Sequence, residues 1–82
     1  MDRVGVFPNP TAGHLYVLLP VDLSNGDVQI TISDLTGRRV LEQQFSGQKQ
    51  LTVDLSALAE GLYTVAVQVE GQMGVRKVVR SR

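Results

Sequence analysis

Apolar and polar residues alternate along most of this 82-residue chain. The clearest run is 28–33, in which Val28, Ile30 and Ile32 are separated by polar residues. Because successive side chains of a β-strand point to opposite faces, these three share one buried face. The run 63–70 repeats the pattern and predicts a strand with four inward side chains: Tyr63, Val65, Val67 and Val69.

Four more segments have strand character. Residues 39–45 and 75–80 form two of them. The other two have inward apolar side chains at every second position: Leu15, Val17, Leu19, Leu51, Val53 and Leu55. No segment keeps a helical period over the roughly ten residues that a helix needs. Short strands separated by Gly, Asn and Asp predict an all-β, antiparallel sandwich or barrel of about six to seven strands.

Three connections have recognisable turn chemistry. Ser24-Asn25-Gly26-Asp27 is rich in residues that tolerate positive φ, and Glu70-Gly71-Gln72 predicts a tight hairpin between the last two strands. In Asp34-Leu35-Thr36-Gly37-Arg38, Asp34 can accept backbone N–H groups and Gly37 can adopt a left-handed conformation. This is typical of a hairpin closed by a G1 bulge, with Arg38 beginning the return strand. The less favoured interpretation is that Asp34 binds a metal ion or acts as a catalytic base.

The segment Leu58-Ala59-Glu60-Gly61-Leu62-Tyr63 predicts a corner. Ser56 is a candidate cap for one short helical turn that Gly61 ends in the left-handed conformation. Tyr63 then opens a strand, which suits a tyrosine corner, in which the phenol bonds to backbone a few residues upstream. A catalytic Tyr63 would need a base or a cation beside it, and none is close in sequence.

The two ends of the chain carry the remaining signatures. Pro8, Asn9 and Pro10, followed by Gly13, predict a stiff segment that leads into the first full strand. Near the other end, Lys77-Val78-Val79-Arg80 interleaves basic and apolar residues. It is either an edge strand whose charges discourage pairing or a strand offered to a partner through its main chain. The residues alone favour the first interpretation.

Composition narrows the function classes. Eight Lys and Arg balance eight Asp and Glu, so no field would concentrate nucleic acid or anionic lipid at the surface. The chain has no cysteine and no run of the roughly 20 apolar residues that a membrane helix needs. Its length predicts one domain, residues 1–82, and does not exclude further sequence upstream of Met1.

No catalytic chemistry is visible. His14 is the one histidine, no nucleophile motif is present, and the aspartates do not follow a calcium-loop spacing. We therefore predict no catalytic residue, no metal site and no cofactor.

Four segments together resemble the C-terminal sorting domain (type A) of cargo proteins of the type IX secretion system of Bacteroidetes. They occur in one order: 6–13, 32–40, 58–65 and 77–80. The resemblance implies an immunoglobulin-like β-sandwich at the C-terminus of a larger secreted protein. It implies that the cargo passes through the periplasm to the cell surface or the exterior, that an outer-membrane translocon recognises the domain, and that a sortase-like peptidase usually removes it.

Within this resemblance, Lys77, Val78, Val79 and Arg80 match the terminal motif and are the predicted contacts with the translocon. The structural set is Pro8, Asn9, Pro10, Gly13, Asp34, Gly37, Arg38, Gly61 and Tyr63. An accessory carbohydrate-binding or adhesion module is the alternative function, and an enzyme built on His14 is the third. Exposed β edges also allow a homodimer.

Overall fold

The computed structural model describes residues 4–20 and 26–81, and these residues form seven β-strands and no helix. The strands are β1 (Gly5–Phe7), β2 (His14–Leu18), β3 (Asp27–Ser33), β4 (Arg39–Ser46), β5 (Gln50–Asp54), β6 (Gly61–Val69) and β7 (Gln72–Arg80). The all-β prediction is confirmed. No helix in the described part of the chain is long and apolar enough to cross a membrane.

The strands form two antiparallel sheets. One has the order β1-β2-β5 and the other the order β4-β3-β6-β7. The chain changes sheet after β2, after β4 and after β5, which brings β3 and β6 side by side although they are distant in sequence. This arrangement is an immunoglobulin-like β-sandwich in which β7 and β4 are the edges of the larger sheet.

The core lies between the sheets. Every inward side chain predicted from the alternation is buried: Leu15, Val17, Leu19, Val28, Ile30, Ile32, Leu51, Val53, Leu55, Tyr63, Val65, Val67 and Val69. Val4 and Val78 join the same cluster, and Leu58 packs against it. The period-two pattern identified the core because each strand has one face against the opposite sheet.

The structure corrects the predicted strand map in two places. Residues Gly5–Phe7 form a strand that pairs with β2, in a segment that was expected only to lead into the domain. Three residues are too short for an alternation to be recognised. β7 also begins at Gln72, earlier than predicted, because the turn at Glu70 and Gly71 has positive φ at both residues and pairs Val69 directly with Gln72. Of the predicted turn 24–27, Ser24 and Asn25 lie outside the described residues.

Candidate functional site

Alternation along β7 divides the terminal motif between two faces. Val78 is 1% exposed and belongs to the core, whereas Lys77 and Val79 point away from the sandwich and are exposed. The register with β6 sets Lys77 opposite Thr64 and Val79 opposite Leu62 on the outer face of the sheet. The folded domain therefore offers a partner the side chains of Lys77 and Val79, and not that of Val78.

Arg80 is held by backbone carbonyl groups of the same chain. Its guanidinium donates hydrogen bonds from Nε to Leu55 O at 3.1 Å and from Nη2 to Ser56 O at 3.5 Å, and Nη1 donates to Ser81 O. These bonds tie the end of β7 to the loop after β5. Val78 and Arg80 therefore have structural partners within the fold, which the two-residue period of the strand explains. Their contact with a translocon stays a prediction.

The Pro8-Asn9-Pro10 segment lies along the outer edge of β7. The Asn9 side chain donates from Nδ2 to Lys77 O at 3.1 Å, and its Oδ1 accepts from Val79 N at 3.0 Å. One carboxamide thus satisfies a donor and an acceptor of an edge strand, as a neighbouring strand would. The two flanking prolines lack N–H groups and leave no donor to satisfy here.

Thr11 continues this contact as backbone. Its N–H donates to Val79 O at 2.9 Å and its carbonyl accepts from Ser81 N at 2.8 Å, which forms an isolated parallel bridge with Arg80. The Thr11 side chain is 1% exposed; Oγ1 donates to His14 O at 2.6 Å and accepts from Gly13 N at 3.1 Å. Gly13 in turn accepts from Leu55 N through its carbonyl at 2.6 Å. The sequence signatures at the two ends of the chain therefore form one structural unit.

The hairpin between β3 and β4 has the predicted geometry. Gly37 N donates to Asp34 O at 3.0 Å, Asp34 N donates to Arg38 O at 2.9 Å, and Gly37 has φ +86°. The Asp34 Oδ1 atom accepts from Thr36 N at 2.9 Å, Thr36 Oγ1 at 2.6 Å and Arg38 N at 3.1 Å. Arg38 also forms an exposed ion pair with Oδ2 at 3.2 Å.

These bonds occupy the Asp34 carboxylate. The side-chain hydrogen bond from Thr36 is the main reason that the pKa of Asp34 lies below its ordinary value of 3.8, and loss of hydration opposes the shift. A carboxylate with a lowered pKa is a weak base. Because this carboxylate already accepts three hydrogen bonds from its own turn, it is also poorly placed to bind a metal ion. The structural interpretation of Asp34 is therefore the one that its geometry supports.

The corner before β6 is confirmed in part. Tyr63 Oη donates to Ala59 O at 2.7 Å, as predicted for a tyrosine corner. The predicted helical turn capped by Ser56 is wrong. Ser56 N instead donates a hydrogen bond to Asp54 Oδ1 at 2.9 Å, and a single turn follows. Gly61 has φ +155°, a positive value that favours glycine but is far from the left-handed helical value of about +57°, and it begins β6 instead of ending a helical turn. Hydrogen bonds from Ser56 are the main cause of the lowered pKa of Asp54.

Among residues 4–20 and 26–81, the structure does not assemble a catalytic triad around His14. His14 is exposed at the start of β2 and lies across from Asp54. The Asp54 carboxylate is bonded to Ser56, and within the described residues no hydrogen bond joins the His14 ring to either of them. A nucleophile hydrogen-bonded to its base is the geometry that such a mechanism requires. In the same part of the chain, no group of three or more His, Asp or Glu side chains is placed to hold a metal ion.

Surface clefts are also present among the described residues, and two of them lie at opposite ends of the larger sheet. The smaller one, about 220 Å³, lies where the Asp34 hairpin meets the Tyr63 corner, and Leu35, Glu60 and Leu62 line it. The larger one, about 670 Å³, lies at the opposite end of the larger sheet and is lined mainly by polar side chains, among them the amides of Gln29 and Gln44. Neither was predicted from the sequence, because both depend on which strands become neighbours.

The geometry defines a class of protein: a small β-sandwich whose distinctive residues make corners and close an edge. A family model described as "Secretion system C-terminal sorting domain" matches residues 5–81, so the chain belongs to this family. It is a type IX secretion sorting signal, carried by a fused cargo protein and handled by the secretion system, and such cargo is exported to the cell surface or the extracellular space. Such a domain is a targeting signal and not a catalytic domain. Comparison with curated proteins found no match.

Proposed function

We propose that the outer-membrane translocon of the secretion system recognises this domain in its folded state, with Lys77 and Val79 as the outward part of the terminal motif. The observation that carries the proposal is that the motif is bonded on both sides. β6 pairs with it through the sheet, and Asn9 and Thr11 pair with its other edge. If the motif were recognised as a linear peptide, its backbone groups would have to be unpaired, because they would form hydrogen bonds to the partner instead.

The proposed cycle is that the cargo reaches the periplasm, residues 1–82 fold there as one sorting unit, and the unit directs the cargo through the outer membrane. A sortase-like peptidase then cuts upstream of the sandwich. The placement of β1 supports this: it pairs with β2 from Gly5 onward, so a cut ahead of Gly5 leaves every described strand pair intact.

A charge reversal at Lys77 tests the proposal. In a fusion of the chain to a secreted reporter, Lys77→Glu should lower the amount of reporter at the cell surface and in the medium, because Lys77 faces outward from β7. The matched control is Lys49→Glu, the same charge change at an exposed lysine between β4 and β5. Melting temperatures of both variants verify that the sandwich is intact. Equal export of the two variants, both folded, would contradict the proposed role of Lys77.

A further inference from the structure

The outer face of β7 is apolar in a place where a soluble sheet normally carries polar side chains. Six large apolar side chains are exposed among the described residues, and three of them project from this face: Met73 (52%), Val75 (50%) and Val79 (40%). Edge strands are usually protected by charged residues, and clustered exposed apolar residues mark interaction sites. This face therefore requires an explanation beyond the stability of the fold.

The apolar surface continues onto β6. Leu62 pairs with Val79 and Ala66 pairs with Val75, and both are half-buried on the same face. We call this surface the β6–β7 strip and define it by five residues: Leu62, Ala66, Met73, Val75 and Val79. At one end it reaches the cleft that Leu62 shares with Leu35, which is 76% exposed at the hairpin tip.

The edge of β7 is closed beside this strip. Asn9 and Thr11 occupy the outward backbone groups at Lys77, Val79 and Ser81. A partner strand cannot add to that part of the edge without displacing them, since each backbone group there already has a partner. The side-chain face remains open. The contact of the terminal motif with a partner is therefore directed to the face of the sheet and away from its edge.

We propose that the β6–β7 strip docks a protein partner that presents an apolar patch with an acidic side chain opposite Lys77. The proposal rests on the proposed function, because the partner is then a component of the secretion machinery. Lys77 is the one charged residue among the outward positions of β6 and β7, which are Leu62, Thr64, Ala66, Gln68, Met73, Val75, Lys77 and Val79. A single cation within an apolar surface selects a complementary anion.

Charge also distinguishes between three possible partners of the β6–β7 strip: a second copy of the chain, an anionic lipid surface and a different protein. A second copy packed on the strip about a two-fold axis would bring one Lys77 toward the other across an apolar contact, where like charges are unfavourable. An anionic lipid surface attracts clusters of basic residues, whereas Lys77 is the one basic residue among the outward positions of β6 and β7. A heterologous protein surface satisfies both the apolar strip and the ammonium group.

The double variant Val75→Thr with Val79→Thr tests the strip in the full chain fused to a secreted reporter. Threonine is β-branched and keeps strand propensity, while its hydroxyl makes the strip polar. We expect export to fall about tenfold, as for removal of an interface anchor, with an unchanged melting temperature. The matched control is Leu18→Thr, which makes the same kind of change at an exposed apolar residue on the outer face of the smaller sheet. Export of the folded double variant at the level of this control would overturn the inference.

Photo-crosslinking keeps the test valid if the double variant folds poorly. A photoreactive residue in place of Val75 should crosslink to another protein, and Lys77→Glu should abolish that adduct. The same group in place of Thr52, on the outer face of β5, should give none. Adducts only with a second copy of the chain, or only with lipid, would overturn the inference.

Export of the fusions separates this inference from the proposed function. If a fusion without the domain is still exported, the proposed function fails. If the domain is required and the strip variants are exported, this inference alone fails.

Discussion

The Asn9 side chain provides the most informative stability test of the contact between the two ends of the chain. Asn9→Ala removes both hydrogen bonds to β7, the one to Lys77 O and the one from Val79 N. Each such bond contributes about 0.5–1.5 kcal/mol net. Because this edge is exposed, water replaces part of the loss, so we expect a reduction of about 1–2 kcal/mol in the free energy of unfolding.

Urea denaturation of the isolated chain measures this free energy, and thermal unfolding should show a decrease of about 5–10 °C in melting temperature for a domain of this size. Asn9→Asp should also destabilise at neutral pH, because a carboxylate oxygen would then face the Lys77 carbonyl. Gln43→Ala, an exposed amide truncation on β4, is the matched control and should change stability by no more than about 0.5 kcal/mol. Equal effects of Asn9→Ala and Gln43→Ala would refute the edge contact as a stabilising element.

Three further predictions concern the corner, the terminal strand and the hairpin. Tyr63→Phe deletes the bond to Ala59 O and should cost about 1–1.5 kcal/mol in urea denaturation; Tyr16→Phe, on the outer face of β2, should cost less. Val78→Ala removes two buried methyl groups and should cost about 2–3 kcal/mol. Val79→Ala should stay within about 0.5 kcal/mol, and equal costs would contradict the burial pattern of β7. The pKa of Asp34 is lower folded than unfolded, so its stabilisation is complete above about pH 4 and is lost as pH falls through the folded-state pKa. Melting temperatures between pH 2 and 7 should therefore decrease less steeply below about pH 4 in Asp34→Asn than in the unsubstituted chain.

The core and the Asp34 hairpin were predictable because both depend on local rules. Alternation assigns a face to each residue of a strand, and Val28, Ile30 and Ile32 needed no knowledge of their neighbours. Asp34 and Gly37 likewise act within one five-residue turn. The same applies to Tyr63, whose partner Ala59 is four residues upstream.

The site depended on contacts between distant residues, which a single sequence does not reveal. Asn9 and Val79 are 70 residues apart, and no periodicity connects them. The residue types of the terminal motif also did not show which side chains face outward. Lys77 and Arg80 have the same charge and yet point to opposite faces of β7. The helical turn after Ser56 failed for a local reason, since the carboxylate of Asp54 bonds to Ser56 N and sets a different turn.

We propose that the export signal is a folded surface. Val65→Asp places a carboxylate at a fully buried position of β6, which should unfold the sandwich while it leaves Lys77-Val78-Val79-Arg80 unchanged in sequence. The direct measurement is the surface and extracellular level of a reporter fused to this variant, normalised to the full-length fusion remaining inside the cell by immunoblot. If the translocon recognises the folded surface, export of this variant should be lost. Export at the level of the unsubstituted fusion, with circular dichroism showing that the variant is unfolded, would contradict it and identify the signal as a linear peptide.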